Sequence, residues 1–322
     1  MKTHALILAG MVGLWLVAGT ALTEEVAKSP YGPGDEIGAL NAITAESRLE
    51  ILQRISGGKV YDLSVDTFSG MPGLIHLGMG DPPFHMWMTH TPSGLAVEGI
   101  SPVGADTLAL YDDAMVMSNH TGTHIDALNH VGYGDKIYNG FSTSEHLGNK
   151  GWTVAGADKI PPIITRGLLI DVAGAKGVEM LPESYEITRA DLEAALAKQG
   201  LALSAGDTVF IRTGRMSQWP DPQRYVPKSP GIGLDAARWL VDGGAVLIGA
   251  DNLAVERTPL GRKAVHSYLF AERGVCLVEN VWLEELARDG VYEFALIAAP
   301  IKIRGATGSP MRPIALPVRG SP

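Results

Sequence analysis

The sequence predicts a single-domain α/β or α+β protein, on three observations. Strand-like apolar runs and helix-like segments are mixed along the chain without strict alternation. Its 322 residues suffice for one large core, and 46% hydrophobic against 19% charged residues is a globular balance. No internal repeat or low-complexity linker divides the chain.

The elements follow in order. Tyr31-Gly-Pro-Gly-Asp-Glu36 is a turn-rich entry to a short helix from about Thr44, with Leu49, Leu52 and Ile55 on one face and Gly57-Gly58 as its stop. Lys59 to Val65 reads as a strand. Residues 69 to 104, dense in Gly, Pro, Met and His, lack sustained periodicity and read as a long functional loop. Ala114 to Met117 is a short apolar strand, and Gly167 to Asp171 another. Thr188 with Asp191 three residues on predicts the capped start of a helix that stops at Gly200. Asp207 to Thr213 reads as a buried strand, Leu234 to Val241 as a helix, Ala245 to Ala250 and Gly274 to Glu279 as strands. Val281 to Arg288 is a short helix and Tyr292 to Ala299 the last long strand.

Residues 1–23 read as an export signal, leaving 24–322 as the mature domain. Lys2 supplies a positive start, Ala5 to Val17 an uncharged apolar stretch, and Ala18, Gly19, Thr20 and Ala21 the small residues a signal peptidase needs before Glu24-Glu25. The competing reading is an uncleaved anchor, since the stretch approaches spanning length. With cleavage, the protein is expected in a periplasm or outside the cell, with no membrane partner.

The net charge of -9 and the absence of a dense basic run argue against nucleic acid as a partner. A small organic substrate is expected instead. Cys276 is the single cysteine, so neither an intramolecular disulfide nor a thiolate metal cage can form. Set in Gly274-Val-Cys-Leu-Val278, it reads as a small buried hydrophobe.

The chemistry is concentrated in one segment. Three of the nine histidines, His120, His124 and His130, fall within eleven residues together with Asp126. A lone histidine usually packs in a core. Three with a carboxylate suit a cation such as Zn or Mn, which takes imidazole and carboxylate together. Gly122 and Thr123 permit a tight turn that brings His120 and His124 to one point. On an extended strand, His124 and Asp126 project from the same face. Phe84, His85 and Trp87, in Phe84-His-Met-Trp87, are candidates for a substrate pocket, although such residues also serve to pack loops. His90 and His146 have no partner in sequence.

The segment His120-Thr-Gly-Thr-His-Ile-Asp-Ala-Leu-Asn-His130 resembles the His-x-Gly-Thr-His-x-Asp-x-x-x-His signature of the cyclase family of metal-dependent hydrolases, which includes bacterial kynurenine formamidases and isatin hydrolases. Further segments resemble the family in the expected order: Gly32 to Gly38, Tyr61 to Ser64, Gly206-Asp207, Arg212 to Gly214, Gly249 to Asn252, His266 to Asn280 and Gly305 to Pro310. The likeness thus runs from about residue 31 to the C-terminus. It implies a swivelling β/β/α domain with a barrel-like mixed sheet, and a homodimer or higher homo-oligomer. His120, His124 and Asp126 match the primary metal ligands, His130 the general acid/base, and His266 with Glu279 a pair completing a second site. One or two Mn or Zn ions are implied. Extra length at residues 66 to 104, and Ala127-Leu128 after the motif Asp, depart from the family and leave the substrate open.

What the resemblance implies is hydrolysis of an amide, formamide, cyclic imide or lactone by a metal-activated water, with His130 moving the proton. No Gly-x-Ser-x-Gly elbow offers a covalent nucleophile. Two alternatives stand beside this reading: a lyase or cyclase using the metal as a Lewis acid, and a non-catalytic periplasmic metal or ligand binding protein.

Overall fold

A computed structural model describes residues 25–100, 109–259 and 264–319. The predicted export signal lies outside these residues. No helix among them is long and apolar enough to cross a membrane.

The strands that build the main sheet and a projecting hairpin are β1 (Tyr61–Asp62), β2 (His85–His90), β3 (Asp112–Val116), β4 (His124–Asp126), β5 (Ile163–Asp171) and β6 (Thr208–Arg212). They continue with β7 (Leu247–Ala250), β8 (Cys276–Glu279), β9 (Glu293–Ala298), β10 (Gly308–Pro310) and β11 (Ile314–Pro317). Nine of them form one curled, half-barrel sheet in the order β1-β11-β9-β5-β6-β7-β8-β4-β10. The predicted mixed α/β single domain with a barrel-like sheet is therefore present.

Its centre, β5 to β8, is parallel. These strands read as unbroken apolar runs because both faces are covered: Leu168 to Ile170, Val209 to Ile211, Leu247 to Ala250 and Cys276 to Val278 include no exposed residue. Helices α2 (Arg189–Gln199) and α3 (Leu234–Asp242) pack together, each burying its inner face. Thr188 and Asp191 form the predicted capping box of α2, and Gly200 ends it at φ 67°. Antiparallel strands flank the centre, β9, β11 and β1 on one side and β4 and β10 on the other. One continuous hydrophobic cluster runs from Leu40 to Ala315.

Several elements differ from expectation. Helix α1 (Ala45–Arg54) starts at Thr44 as predicted, but its buried residue is Ile51, packed with Ala295 and Val318, with Ile55 half-buried beside it. Leu49 and Leu52 face solvent, at 57% and 37% exposure. The i, i+4 pair Ile51/Ile55 covers the sheet, and the outer leucines belong to the other side. The predicted strand over residues 59–65 contracts to Tyr61–Asp62, because Asp62 accepts hydrogen bonds from the Ser64 amide and hydroxyl and turns the chain. The stretch expected as a loop contains β2, which pairs with β3 around a bulge between Met88 and His90, and a short helix, Pro92–Val97.

Candidate metal centre and active site

The centre is built on β4. Ile125 points into the core, fully buried, so the alternation of the strand turns His124 and Asp126 to the opposite side together. Both ladders of β4 are occupied: His124 stands across from Glu279 on β8 and Pro310 on β10, and Asp126 across from Leu277 and Gly308. Just upstream, Gly122 sits at φ 61°, a left-handed conformation that favours glycine, with Met71, Thr67 and Val65 packed close by. The turn is held from two sides. The Asn280 amide donates to the Gly122 carbonyl at 2.9 Å, and the Thr123 hydroxyl donates to the Asn280 carbonyl at 2.6 Å.

Side-chain geometry converges on Asp126. Its Oδ1 lies 2.6 Å from His120 Nδ1 and 3.3 Å from His124 Nε2. His124 donates from Nδ1 to the Gly122 carbonyl at 2.9 Å, which leaves Nε2 facing the site. That nitrogen is buried without a hydrogen-bond partner, near Asp126 and Glu279 but aligned with neither. Thr307 Oγ1, 3.0 Å from His120 Nε2, can accept that ring's proton and free Nδ1 toward Asp126. On the far side His266 donates from Nδ1 to Glu256 at 2.5 Å and turns Nε2 toward Glu279, 3.2 Å away. Two triads result, His120/His124/Asp126 and Asp126/His266/Glu279, with the ligating atoms of each within 4.8 Å of one another.

This donor set fits a divalent cation. It offers oriented imidazole nitrogens and carboxylate oxygens, and the orphaned, buried His124 Nε2 is a position that a cation would satisfy by displacing its proton. The electrostatics agree. Burial opposes charge on His124 and His266, yet the surrounding carboxylates override it and hold them up to about 9 and about 10. Burial likewise opposes charge on Asp126, but His130, His120 and His124 keep it well below the usual carboxylate range. Glu279 is pushed up by burial and by Asp126. The carboxylates thus draw positive charge into a dry site.

His130 stands apart from both triads. Its Nε2 is 3.9 Å from Asp126 Oδ2, its ring 4.3 Å from the His120 ring and 5.9 Å from Phe270. Burial and the neighbouring histidines outweigh the attraction of Asp126 and lower it to about 4, so the ring is neutral at pH 7. A cavity of about 350 Å³ opens beside His120, between Met71, Leu74 and Ile75 on one side and Pro82 and Phe84 on another.

The structure thus brings His120, His124, Asp126, His130, His266 and Glu279 together. Of the pocket candidates, Phe84 lines the cavity, while His85 and Trp87 do not. They lie on β2, a hairpin strand exposed on both faces, where they stack on one another at 5.7 Å. Cys276 is buried, and burial pushes its thiol up, consistent with an inert packing role. Sequence reasoning missed Glu256, and it marked the segment holding Thr307 and Gly308 without assigning either a role. A Cβ on Gly308 would lie 2.7 Å from His120 Cε1, so its missing side chain makes room for that ring. No local pattern ties these residues to histidines that lie ten to nearly two hundred positions away.

A curled α/β sheet that gathers paired His/carboxylate triads from β4, the turn before it, β8 and the helix at His266 defines an enzyme of the metal-dependent hydrolase class. The chain belongs to the cyclase family: the family model described as "Putative cyclase" matches residues 61–257. A kynurenine formamidase of Bacillus cereus is 30% identical over 207 residues, covering 63% of this chain and 79% of that protein. Cyclase-like protein 3 of Oryza sativa subsp. japonica is 29% identical over 199 residues, covering 62% of this chain and 63% of that one. Among solved structures, one described as a novel cyclase superposes with TM-score 0.81 at 34% identity, covering 91% of this chain and 100% of that one. An isatin hydrolase bound to the product analogue thioisatinate has TM-score 0.60 at 22% identity, covering 86% of this chain and 100% of its own; it shares the fold.

Proposed function

We propose that this chain hydrolyses an amide, formamide, cyclic imide or lactone of a small organic molecule, at a centre holding Mn or Zn. The single observation that supports the reading best is the orphaned His124 Nε2 facing Asp126 and Glu279, with His130 beside the triads but outside them. A bound divalent cation supplies carbonyl polarisation and acidifies water. The chain's own residues do the rest. His120, His124, Asp126, His266 and Glu279 form the donor set, Glu256 and Thr307 fix the tautomers of His266 and His120, and Phe270 packs edge-on against the His130 ring. His130, neutral at pH 7, accepts the proton of the attacking water and returns it to the leaving nitrogen or oxygen. The C–N or C–O bond breaks and the water oxygen stays on the acyl carbon.

Product analysis in oxygen-18 water across formamides, cyclic imides and lactones tests the reading. One heavy oxygen per released acid is expected. Turnover without incorporation would make the enzyme a lyase or cyclase, and full metal loading with no turnover of any class would make it a binding protein. We also propose a homodimer, on the strength of the family resemblance, with light scattering as its test.

A further inference from the structure

The cavity beside His120 has a charge character that bears on the substrate. Its wall is largely apolar, from Met71, Leu74, Ile75, Pro82 and Phe84. Into it faces one carboxylate, Asp81. Among the described residues no lysine or arginine lines it, and the other ionisable groups at its wall are His76 and His120. His76 Nδ1 is held back against the Gly73 backbone at 3.2 Å. Asp81 is fixed in place. The Ser118 hydroxyl donates to its Oδ1 at 3.0 Å and accepts from the His120 amide at 3.3 Å, and the Ser118 amide donates to the Pro82 carbonyl at 3.3 Å. The carboxylate is therefore clamped to the same backbone that carries His120.

We propose that this cavity seats the ring of the substrate and that Asp81 is a specificity residue, selecting neutral or cationic ring-bearing amides and lactones over those that carry a carboxylate. The proposal rests on the hydrolase reading above for the bond that is cut, but not for what binds. An apolar wall of this size accommodates a single aromatic or alicyclic ring. A substrate carboxylate seated there faces Asp81 across a partly desolvated space, where like charges repel strongly. An ammonium or amide N–H in the same place finds an acceptor.

The test uses the metal-loaded full chain and three ketone probes, which have no leaving group and differ in charge at one position: acetophenone, 4-acetylbenzoate and 4-(aminomethyl)acetophenone. Calorimetric titration should show the neutral and cationic probes binding at least about tenfold more tightly than the carboxylate. Asp81→Asn should narrow that gap to about threefold or less, and Asp81→Lys should invert it. Equal or tighter binding of 4-acetylbenzoate by the wild type would overturn the proposal. So would a gap that Asp81→Asn leaves unchanged, or no binding of any probe. Turnover of formanilide, followed in parallel, reads the hydrolase assignment separately, since probe binding does not depend on it.

Discussion

Replacing Glu256 by Gln changes one atom and reaches the metal centre through a single imidazole. Glu256 is buried and serves three donors: His266 Nδ1 at 2.5 Å, the His266 amide at 3.1 Å and the Val265 amide at 2.8 Å. A glutamine in its place offers one acceptor oxygen, so its NH2 must face an N–H of the backbone or of the ring. Loss of the charge-assisted bond to His266 is worth roughly 1.5–3 kcal/mol. Because that bond fixes the tautomer that aims Nε2 at Glu279, the cost falls on the Asp126/His266/Glu279 triad. Its metal affinity should drop about 10- to 100-fold, while His120/His124/Asp126 keeps its own. Competition against a graded series of chelators, with metal stoichiometry by elemental analysis, reads the two triads apart. Affinity unchanged within about twofold at every bound ion, against the tenfold or more expected for an outer-shell partner, would refute the argument that Glu256 positions a ligand.

The same residue gives the metal-free protein a pH signature. Burial opposes charge on His266, but Glu256 and Glu279 raise it to about 10, above its unfolded value near 6.5. A raised folded pKa contributes stability that is fully present below about pH 6.5 and is lost as pH rises toward 10. Thermal melting of the metal-free chain should therefore show this contribution fading across that window, and Glu256→Gln should flatten the slope.

Other expectations follow from the site. His120→Ala and His124→Ala together should abolish stoichiometric Mn or Zn by elemental analysis, since they remove both imidazoles of one triad; full retention would sink the ligand assignment. His130→Asn should keep near-normal metal content while losing turnover by about a hundredfold to ten-thousandfold, and loss of metal with activity would make His130 a ligand. Gly308→Ala drives a methyl group against the His120 ring. It should lower stability by about 1–3 kcal/mol and weaken metal binding, measured by melting and by metal titration; a normal metal content would show that the ring can yield.

Much of this architecture is legible in the sequence, for identifiable physical reasons. The parallel strands at Leu168, Val209, Leu247 and Leu277 announce themselves as apolar runs, because strands covered on both faces need no polar side. The convergence of His124 and Asp126 follows from strand alternation alone. Helix α1 is legible as a helix but its buried face is not, since its ten residues carry apolar side chains on both sides of the cylinder. Strand β2 is hidden, because it buries no face and so shows no period, whereas its partner β3 is legible in part as the apolar run from Ala114. His85 and Trp87 go with the hairpin, away from the cavity. The roles of Glu256, Thr307 and Gly308 are invisible for a different reason: the fold brings their partners to them, so that even the marked segment Gly305 to Pro310 does not say which histidine it meets.

The three residues of β4 are locked by ladders on both sides, and this restricts how the gene can change. Shifting the strand by one position would exchange inside for outside, sending both acidic and basic ligands into oil and presenting Ile125 to the solvent-facing chemistry. A single-codon insertion or deletion between Gly122 and Asp126 should thus break up the metal ligands even where the chain still folds. Among the described residues the hairpin strand β2 is paired on one side only and has no such constraint. Changes along its exposed faces can accumulate without touching β4, whereas Thr67, Met71 and Asp81 pack against the segment that carries the ligands and are bound to it.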